Sequence, residues 1–276
     1  MRTLLLGNTQ ISILNIGDIV FKLKDTENVP ESEWRPKHSD LFEKDLLFPT
    51  QNVLFSSSES VLVDACDYEA FTNTPYYQPN YKPPPGLLEQ LATVGITPEA
   101  IKHVIITHAH FDHYSGITKK TETNYVPAFP NARYYLGKAD WEDPKIQKEL
   151  ENPDSFDSHT LGVIEKLGML EVVRSVKSIT KEIEIVPSPG ESPGHQIVRF
   201  HSHNGRILYC LGDLFHHAVE IENLSWMAPW ADPESNLKSR KELTRTALDE
   251  DALLLASHMA LGKLERKGSL ISFVEM

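Results

Sequence analysis

Five short apolar runs in this chain each lead into a histidine or an aspartate. SVLVDA (60–65) closes on Asp64, and HVIITHAH (103–110) opens onto His108 and His110. RILYCLGD (206–213) ends at Asp213 and ALLLASH (252–258) at His258, while EIEIVPS (182–188) passes through a Pro/Gly-rich turn to His195. Short Val/Ile/Leu-rich runs bounded by Gly, Pro or polar residues read as buried β-strands. Strands of one sheet finish along a common edge, so strand-end residues far apart in sequence converge in space. In open α/β sheets that edge, where strands give way to loops, is where ligands bind. The pattern therefore restricts the chain to sheet architectures with one polar rim.

The remaining segments fit that frame. Residues 3–6, 9–16 and 18–23 read as strands of a hairpin pair, and NVLF (52–55) with 60–65 as a second hairpin. Between them, 24–50 is polar and carries Pro30, Pro36 and Pro49, which predicts a long loop insertion. A second insertion is expected at 66–86, where prolines and tyrosines are too dense for a strand or helix interior. Its aromatic faces suit either a pocket wall or a subunit contact. Leu87, Leu88, Leu91 and Val94 recur at helical spacing before Gly95, so 60–107 reads strand–helix–strand. Further on, 133–137 is a strand, 157–168 a helix, and 196–202 with 206–212 a hairpin turning at Asn204-Gly205. Asp232-Pro233-Glu234 announces a helix that runs to about 250. The two halves repeat one outline, which predicts two sheets packed face to face with helices outside.

Composition narrows the function. A chain of 276 residues with 40% hydrophobic content can bury one large core, so residues 1–276 are expected to form one domain. No run approaches the roughly 18 apolar residues needed to cross a bilayer, and MRTLLLGNTQ is too short for a secretory signal. A cytoplasmic protein without membrane contact is the expectation. Cys66 and Cys210 follow apolar stretches and read as buried small residues rather than a disulfide framework. A net charge of −12 repels a phosphate backbone, which argues against a nucleic-acid partner and for a small-molecule substrate.

ITHAHFDHYSG (106–116) places His108, His110, Asp112 and His113 within one short segment. In an extended stretch His108 and His110 point the same way, and a turn beyond them carries Asp112 and His113 to a neighbouring point. Adding the strand-end residues yields two ligand sets. One is His108, His110, His195 and Asp213; the other is Asp112, His113, His258 and a shared Asp213. Imidazole and carboxylate without thiolate favour zinc, iron, cobalt, nickel or manganese. His38, His103, His159, His201 and His203 stand outside any such set, and His216 and His217 are expected to face away from it.

THAHFDH, followed by SPGH, GD and a final SH at strand ends, resembles the metallo-β-lactamase fold superfamily, whose signature is HxHxDH and then His, Asp and His. The resemblance implies an αββα four-layer sandwich of two mixed β-sheets with helices on the outer faces. It implies two divalent metal ions at the sandwich edge, zinc first, with Fe, Mn, Co or Ni as other candidates. Ions so placed lower the pKa of a water, which then attacks a lactone or ester carbonyl or a phosphotriester phosphorus. Asp112 would move a proton to the leaving group, and Asp64 would support a metal-binding histidine from behind. Within the superfamily the chain is most similar to the acyl-homoserine lactonase and methyl-parathion-hydrolase-like group. That similarity lies in the linker before NVLF, in GDLFHHA, and in the ADPESNLKSRKEL helix before LLLASHM; SHMALGKLERKG departs from it in lacking a proline. Members of that group often pair, so a homodimer is among the expectations. A glyoxalase-II-like thioester hydrolase, a tRNA-processing-type nuclease and a diiron redox protein share the scaffold, and a non-catalytic binding module is the remaining class.

Overall fold

The computed structural model describes residues 1–72, 74–78, 80–268 and 270–276. The first half supplies β1 (Arg2–Leu6), β2 (Thr9–Phe21), α1 (Leu23–Thr26), α2 (Glu31–Glu43), β3 (Leu46–Ser56), β4 (Ser60–Val63), α3 (Leu87–Thr93) and β5 (Ile101–Ile105). After α4 (Phe111–Tyr114) and a small ribbon of β6 (Thr118–Lys120) and β7 (Tyr125–Pro127) comes β8 (Arg133–Gly137). Short helices α5 (Lys138–Trp141), α6 (Pro144–Leu150), α7 (Phe156–His159) and α8 (Leu161–Lys166) then lead to β9 (Leu170–Val173). The second half contains β10 (Lys177–Ser178), β11 (Ile183–Pro187), β12 (Gln196–His201), β13 (Ile207–Cys210), α9 (Ala218–Glu222), α10 (Pro233–Asp249), β14 (Leu253–Leu255), β15 (Gly262–Lys267) and β16 (Leu270–Glu275).

Two mixed sheets result, ordered β1-β2-β3-β4-β5-β8-β9 and β10 through β16 in sequence. Between them lies one core, in which Ile11, Val53, Phe55, Val63 and Ile105 of the first sheet meet Ile185, Val198, Phe200, Leu208 and Leu255 of the second. Phe55 and Phe200 pack across this layer with ring centroids 5.2 Å apart. The opposite face of the first sheet buries Leu54, Leu62, Val104 and Tyr134 against Leu87 and Leu91 of α3 and Leu161 and Ile164 of α8. The opposite face of the second buries Tyr209 and Leu254 against Leu243 and Ala247 of α10. Strands buried on both faces read as continuous apolar runs rather than alternating ones, which is how VLV, HVII and ALLL stand in the sequence. The expected αββα arrangement is thus present.

Pairing direction positions the rim. β4, β5 and β8 run parallel, as do β13 and β14, and β11 shares the direction of β13 because both pair antiparallel with β12. The segments leaving β4, β5, β11, β13 and β14 therefore all depart in the C-terminal sense. The hairpin at Asn204-Gly205 forms as expected, with Gly205 at φ +82°.

Three local expectations change. The 24–50 insertion is not a loop: α1, α2 and the start of β3 occupy it. Pro36 and a non-helical His38 (φ −132°) divide α2, yet Trp34 and Phe42 stack on one another at 4.9 Å and Phe42 meets Trp226 edge to face. Only Trp34 and Phe42 of that helix are fully buried, with Leu41 partly so, too few to set a period. Pro49 sits inside β3 because that part of β3 pairs with β2 alone, β4 meeting only Val53–Phe55, so its missing N–H is not required. The C-terminal β15–β16 hairpin was not anticipated from its charged sequence. By contrast, 66–86 is irregular apart from a 3₁₀ turn at Tyr68–Phe71, within its described residues. Cys66 and Cys210 are buried and free.

Candidate metal centre

The rim gathers the strand-end side chains into two adjoining groups. His108, His110, Glu191 and Asp213 each place one ligand atom within 4.8 Å of the others, and so do Asp112, His113, Asp213 and His258. Asp213 belongs to both. In the first group His108 Nε2 and His110 Nδ1 face each other at 2.8 Å. In the second, Asp213 Oδ2 lies 3.3 Å from His113 Nε2 and 3.4 Å from His258 Nε2, with Asp112 Oδ2 3.3 Å from that same His258 nitrogen.

His195 borders the first group, its ring centroid 5.1 Å from that of His108; its Nδ1 donates to the Ser188 carbonyl at 2.9 Å, and its Nε2 lies 3.2 Å from the Asp213 backbone nitrogen. Glu191, not among the expected residues, also reaches this group, its Oε1 3.7 Å from His110 Nδ1. His216, expected to face away, points inward, its Nε2 3.4 Å from Asp213 Oδ2 and 3.6 Å from Glu191 Oε1. His217 does face away and caps α9 by accepting from Val219 N–H. Glu191 was missed because a glutamate after a glycine carries no motif of its own, and His216 because it lies past the strand end that pointed to Asp213.

Backbone and carboxylate partners fix each ring. Asp64, held at φ +57°, accepts from Thr107 N–H at 2.8 Å and from His113 Nδ1 at 2.9 Å, which turns His113 Nε2 toward Asp112 and Asp213. Thr107 Oγ1 donates to Asp64 and lies 3.1 Å from His108 Nδ1. Pro49 carbonyl accepts from His258 Nδ1 at 2.8 Å, while Gln51 Nε2 donates to the Ala256 and Met259 carbonyls on either side of it. Asp140 clamps the two ligand loops together, accepting from Ala109 N–H (2.8 Å), Ser192 Oγ (2.7 Å) and Gly194 N–H (2.6 Å). Below the site, buried Arg240 pairs with Glu220 and donates to the Leu214 and Trp226 carbonyls, tying α10 to the segment that bears Asp213 and His216.

The electrostatics suit cations. Burial by itself would raise the Asp213 and Asp112 carboxyls, but the surrounding imidazoles outweigh it and hold both below their ordinary values. Glu191 is lowered in the same way by His216 and His110 against its burial. Burial and the neighbouring His113 and His110 push His108 well below the usual imidazole range, so it offers a lone pair. His113 and His258 are raised, because Asp213 and Asp112 overcome their desolvation. A metal ion fits this arrangement on a separate observation. Among the described residues, His113 Nε2, Asp213 Oδ1 and Glu191 Oε2 are buried without any hydrogen-bond partner. Orphaned buried polar atoms each cost about 1–3 kcal/mol, more when charged, and three within the two adjoining groups call for cations.

The groups form the floor of a cavity of about 470 Å³ whose upper walls are Ile19, Phe21, Phe71, Tyr76, Phe111 and Trp230. Phe71 and Tyr76 come from the Tyr/Pro-rich insertion, whose Tyr68, Tyr77 and Tyr81 pack on the helix-covered face of the first sheet. Tyr81 Oη anchors it by donating to Asp18 at 2.9 Å. No helix among the described residues is long and apolar enough to cross a membrane.

Comparison with known proteins adds to this geometry. The sequence profile described as Metallo-beta-lactamase superfamily matches residues 79–258, more than half of the chain. An N-acyl homoserine lactonase of Bacillus cereus is 26% identical over 170 residues, covering 61% of this chain and 60% of that protein. A probable metallo-hydrolase of Mycobacterium tuberculosis is 25% identical over 143 residues, covering 48% of this chain and 43% of that one. Among solved structures, hydrolase AbOPH in the beta lactamase superfamily superimposes with a TM-score of 0.79 at 18% identity, covering 99% of this chain and 96% of its own. AidC, a dizinc quorum-quenching lactonase in complex with a product, gives a TM-score of 0.78 at 20% identity over 100% of this chain and 97% of its own. Those structural matches establish the fold. The match to the Bacillus cereus lactonase spans less than two thirds of that relative's length.

Proposed function

Because the chain belongs to the metallo-beta-lactamase superfamily, we propose that it is a metal-dependent hydrolase that opens a small lactone or carboxylic ester with the aid of two divalent cations, zinc first. The observation that carries this reading is the pair of adjoining ligand groups sharing Asp213, with unpaired buried donor atoms, on the floor of an apolar cavity. The lactonases of Bacillus cereus and AidC support the choice of substrate class.

Bound divalent cations supply a Lewis acid that polarises a carbonyl oxygen and brings a water's pKa toward neutrality. The protein's part is placement. His108, His110 and His195 would hold one ion, with Glu191 beside them, Asp112, His113 and His258 the other, and Asp213 both. Ile19, Phe21, Phe71 and Tyr76 would bind the apolar part of the substrate and exclude bulk water from the reacting bond. Asp112 lines the cavity and is the most exposed of the carboxylates on its floor. It would receive a proton at a carboxylate oxygen and return it to the leaving alkoxide.

The test is elemental analysis of the purified protein together with rates on lactones, thioesters, phosphotriesters and aryl esters. Two equivalents of metal and a preference for an apolar lactone or ester are expected. Absence of stoichiometric metal would end the hydrolase reading, and a dominant rate on a thioester would move it to the glyoxalase-II-like class.

A further inference from the structure

We infer that the cavity is a charge filter. Asp157 on its wall turns away substrates whose acyl part carries an anion, so the ester or lactone opened here has an acyl part that is neutral or ends in a hydrogen-bond donor. The inference rests on the reading of the protein as a hydrolase and names the substrate class of that same site.

The chain has 27 lysines and arginines, and none of them lines the cavity. Proteins recognise carboxylates and phosphates with Arg forks or Lys ammonium groups. Here an anionic acyl group would meet the apolar Ile19, Phe21, Phe71 and Ile146, and three carboxyl groups outside the two sets that share Asp213: Glu27, Glu149 and Asp157. An anion moved from water into such a place is costly unless a partner compensates it. The charge that two divalent cations would bring to the floor is largely met there by Asp112, Glu191 and Asp213. A glutathione thioester, with two carboxylates on its acyl-carrying half, fits this lining poorly.

Asp157 is held firmly on the wall. Ser155 caps α7 by accepting from Ser158 N–H, and its hydroxyl donates to the Glu149 carbonyl at 2.7 Å, which ties α7 to α6. Tyr114, at the end of α4, donates through Oη to Asp157 Oδ1 at 2.6 Å. Asp157 is only 6% exposed, and Tyr114 is its one side-chain donor among the described residues. Its second oxygen is therefore left for a donor brought by a ligand. No cation stabilises the group: burial pushes its carboxyl above the ordinary aspartate value, the Tyr114 hydroxyl opposes that, and Glu149 pushes it up again. Glu27 differs, since His216 and Arg240 lie within electrostatic reach of it.

The magnitude follows from the size of the cavity. A sphere of about 470 Å³ is on the order of 10 Å across. Unit charges about 12 Å apart, at an effective dielectric constant of about 20, repel by a factor of about ten. An anion anywhere inside the cavity is penalised by at least that much, and desolvation adds to it.

The experiment measures kcat/KM of the metal-loaded protein on p-nitrophenyl esters of straight-chain acids whose far end is methyl, hydroxyl or carboxylate. The ratio between ends is read, not the absolute rate. Wild type should favour methyl over carboxylate by about tenfold or more, with the uncharged hydroxyl end much closer to methyl. Asp157→Asn keeps an acceptor for Tyr114 and removes the charge, so its methyl-to-carboxylate ratio should fall about tenfold. If that variant does not fold, Glu149→Lys decides: the position is exposed, and a cation there should move the ratio the same way. Equal rates on the methyl and carboxylate ends in wild type, or an unmoved ratio in the deciding variant, overturns the inference and leaves the hydrolase reading intact. A metal-loaded wild type that turns over none of these esters and no lactone overturns both.

Discussion

Arg240→Met should be the most damaging single change outside the metal centre itself. Arg240 and Glu220 are both fully buried and form a charge-assisted pair. The guanidinium also donates through Nε to the Leu214 carbonyl at 2.8 Å, donates to the Trp226 carbonyl, and lies 4.7 Å from the Phe215 ring centroid. Methionine keeps much of the apolar volume, so cavity terms are small. What remains is a buried Glu220 without its cation, held by the N–H groups of His216 and His217 and by the neighbouring Glu27, together with carbonyls that lose their donors. Breaking one side of a buried pair costs about 3–5 kcal/mol. With an unfolding entropy near 2.1 cal/mol/K per residue, that lowers Tm by about 5–9 °C in a chain of this length. Urea unfolding of the metal-free protein, followed by near-UV circular dichroism, measures the loss. The double variant Glu220→Gln/Arg240→Met should recover part of it, because no charge is then left buried and unpaired. A single-variant cost below about 1 kcal/mol, with the double variant no better, would refute the account of this pair as a structural tie.

Four further outcomes follow from the site. Burial, and next the nearby Glu220, raise Glu27 from 4.5 to about 9. The folded state therefore keeps it protonated while the unfolded chain ionises it. Its stability contribution is complete below pH 4.5 and is lost as pH rises toward 9, so Glu27→Gln should stabilise the metal-free protein at pH 7 by up to about 3 kcal/mol and have little effect at pH 4.5, as denaturation at both pH values will show. Asp140→Asn leaves one acceptor for the three donors it now serves. Metal affinity by calorimetry should fall roughly 10–100-fold with circular dichroism unchanged. Asp112→Asn should cut kcat by about 10²–10⁴; a variant that keeps both metals and full turnover would remove Asp112 from the proton transfer. Chelation should lower Tm, and added metal should restore it, since the orphaned atoms regain partners.

Legibility followed the range of the forces involved. The strands at 60–63, 101–105, 207–210 and 253–255 could be read because burial on both faces writes them as apolar runs. The hairpin at Asn204-Gly205 could be read because a tight turn demands those residues. Helix α2 was hidden because Phe42, on which Trp34 stacks, packs against Trp226, far along the chain. Likewise Pro49 forbids a strand only where both neighbours pair, and that is a property of the sheet.

The amino-acid order by itself determined that polar residues cap buried strands, that HAHFDH presents its side chains to two adjacent points, and that distant aspartates and histidines must join them. Those features are local, set by side-chain alternation along strands and by the punctuation of turns. Only the tertiary structure decided that Glu191 turns toward His110 and that His216 joins the floor of the cavity. The direction of a side chain leaving a turn depends on what it packs against, and Glu191 and His216 meet Trp230 and one another from separate segments of the chain.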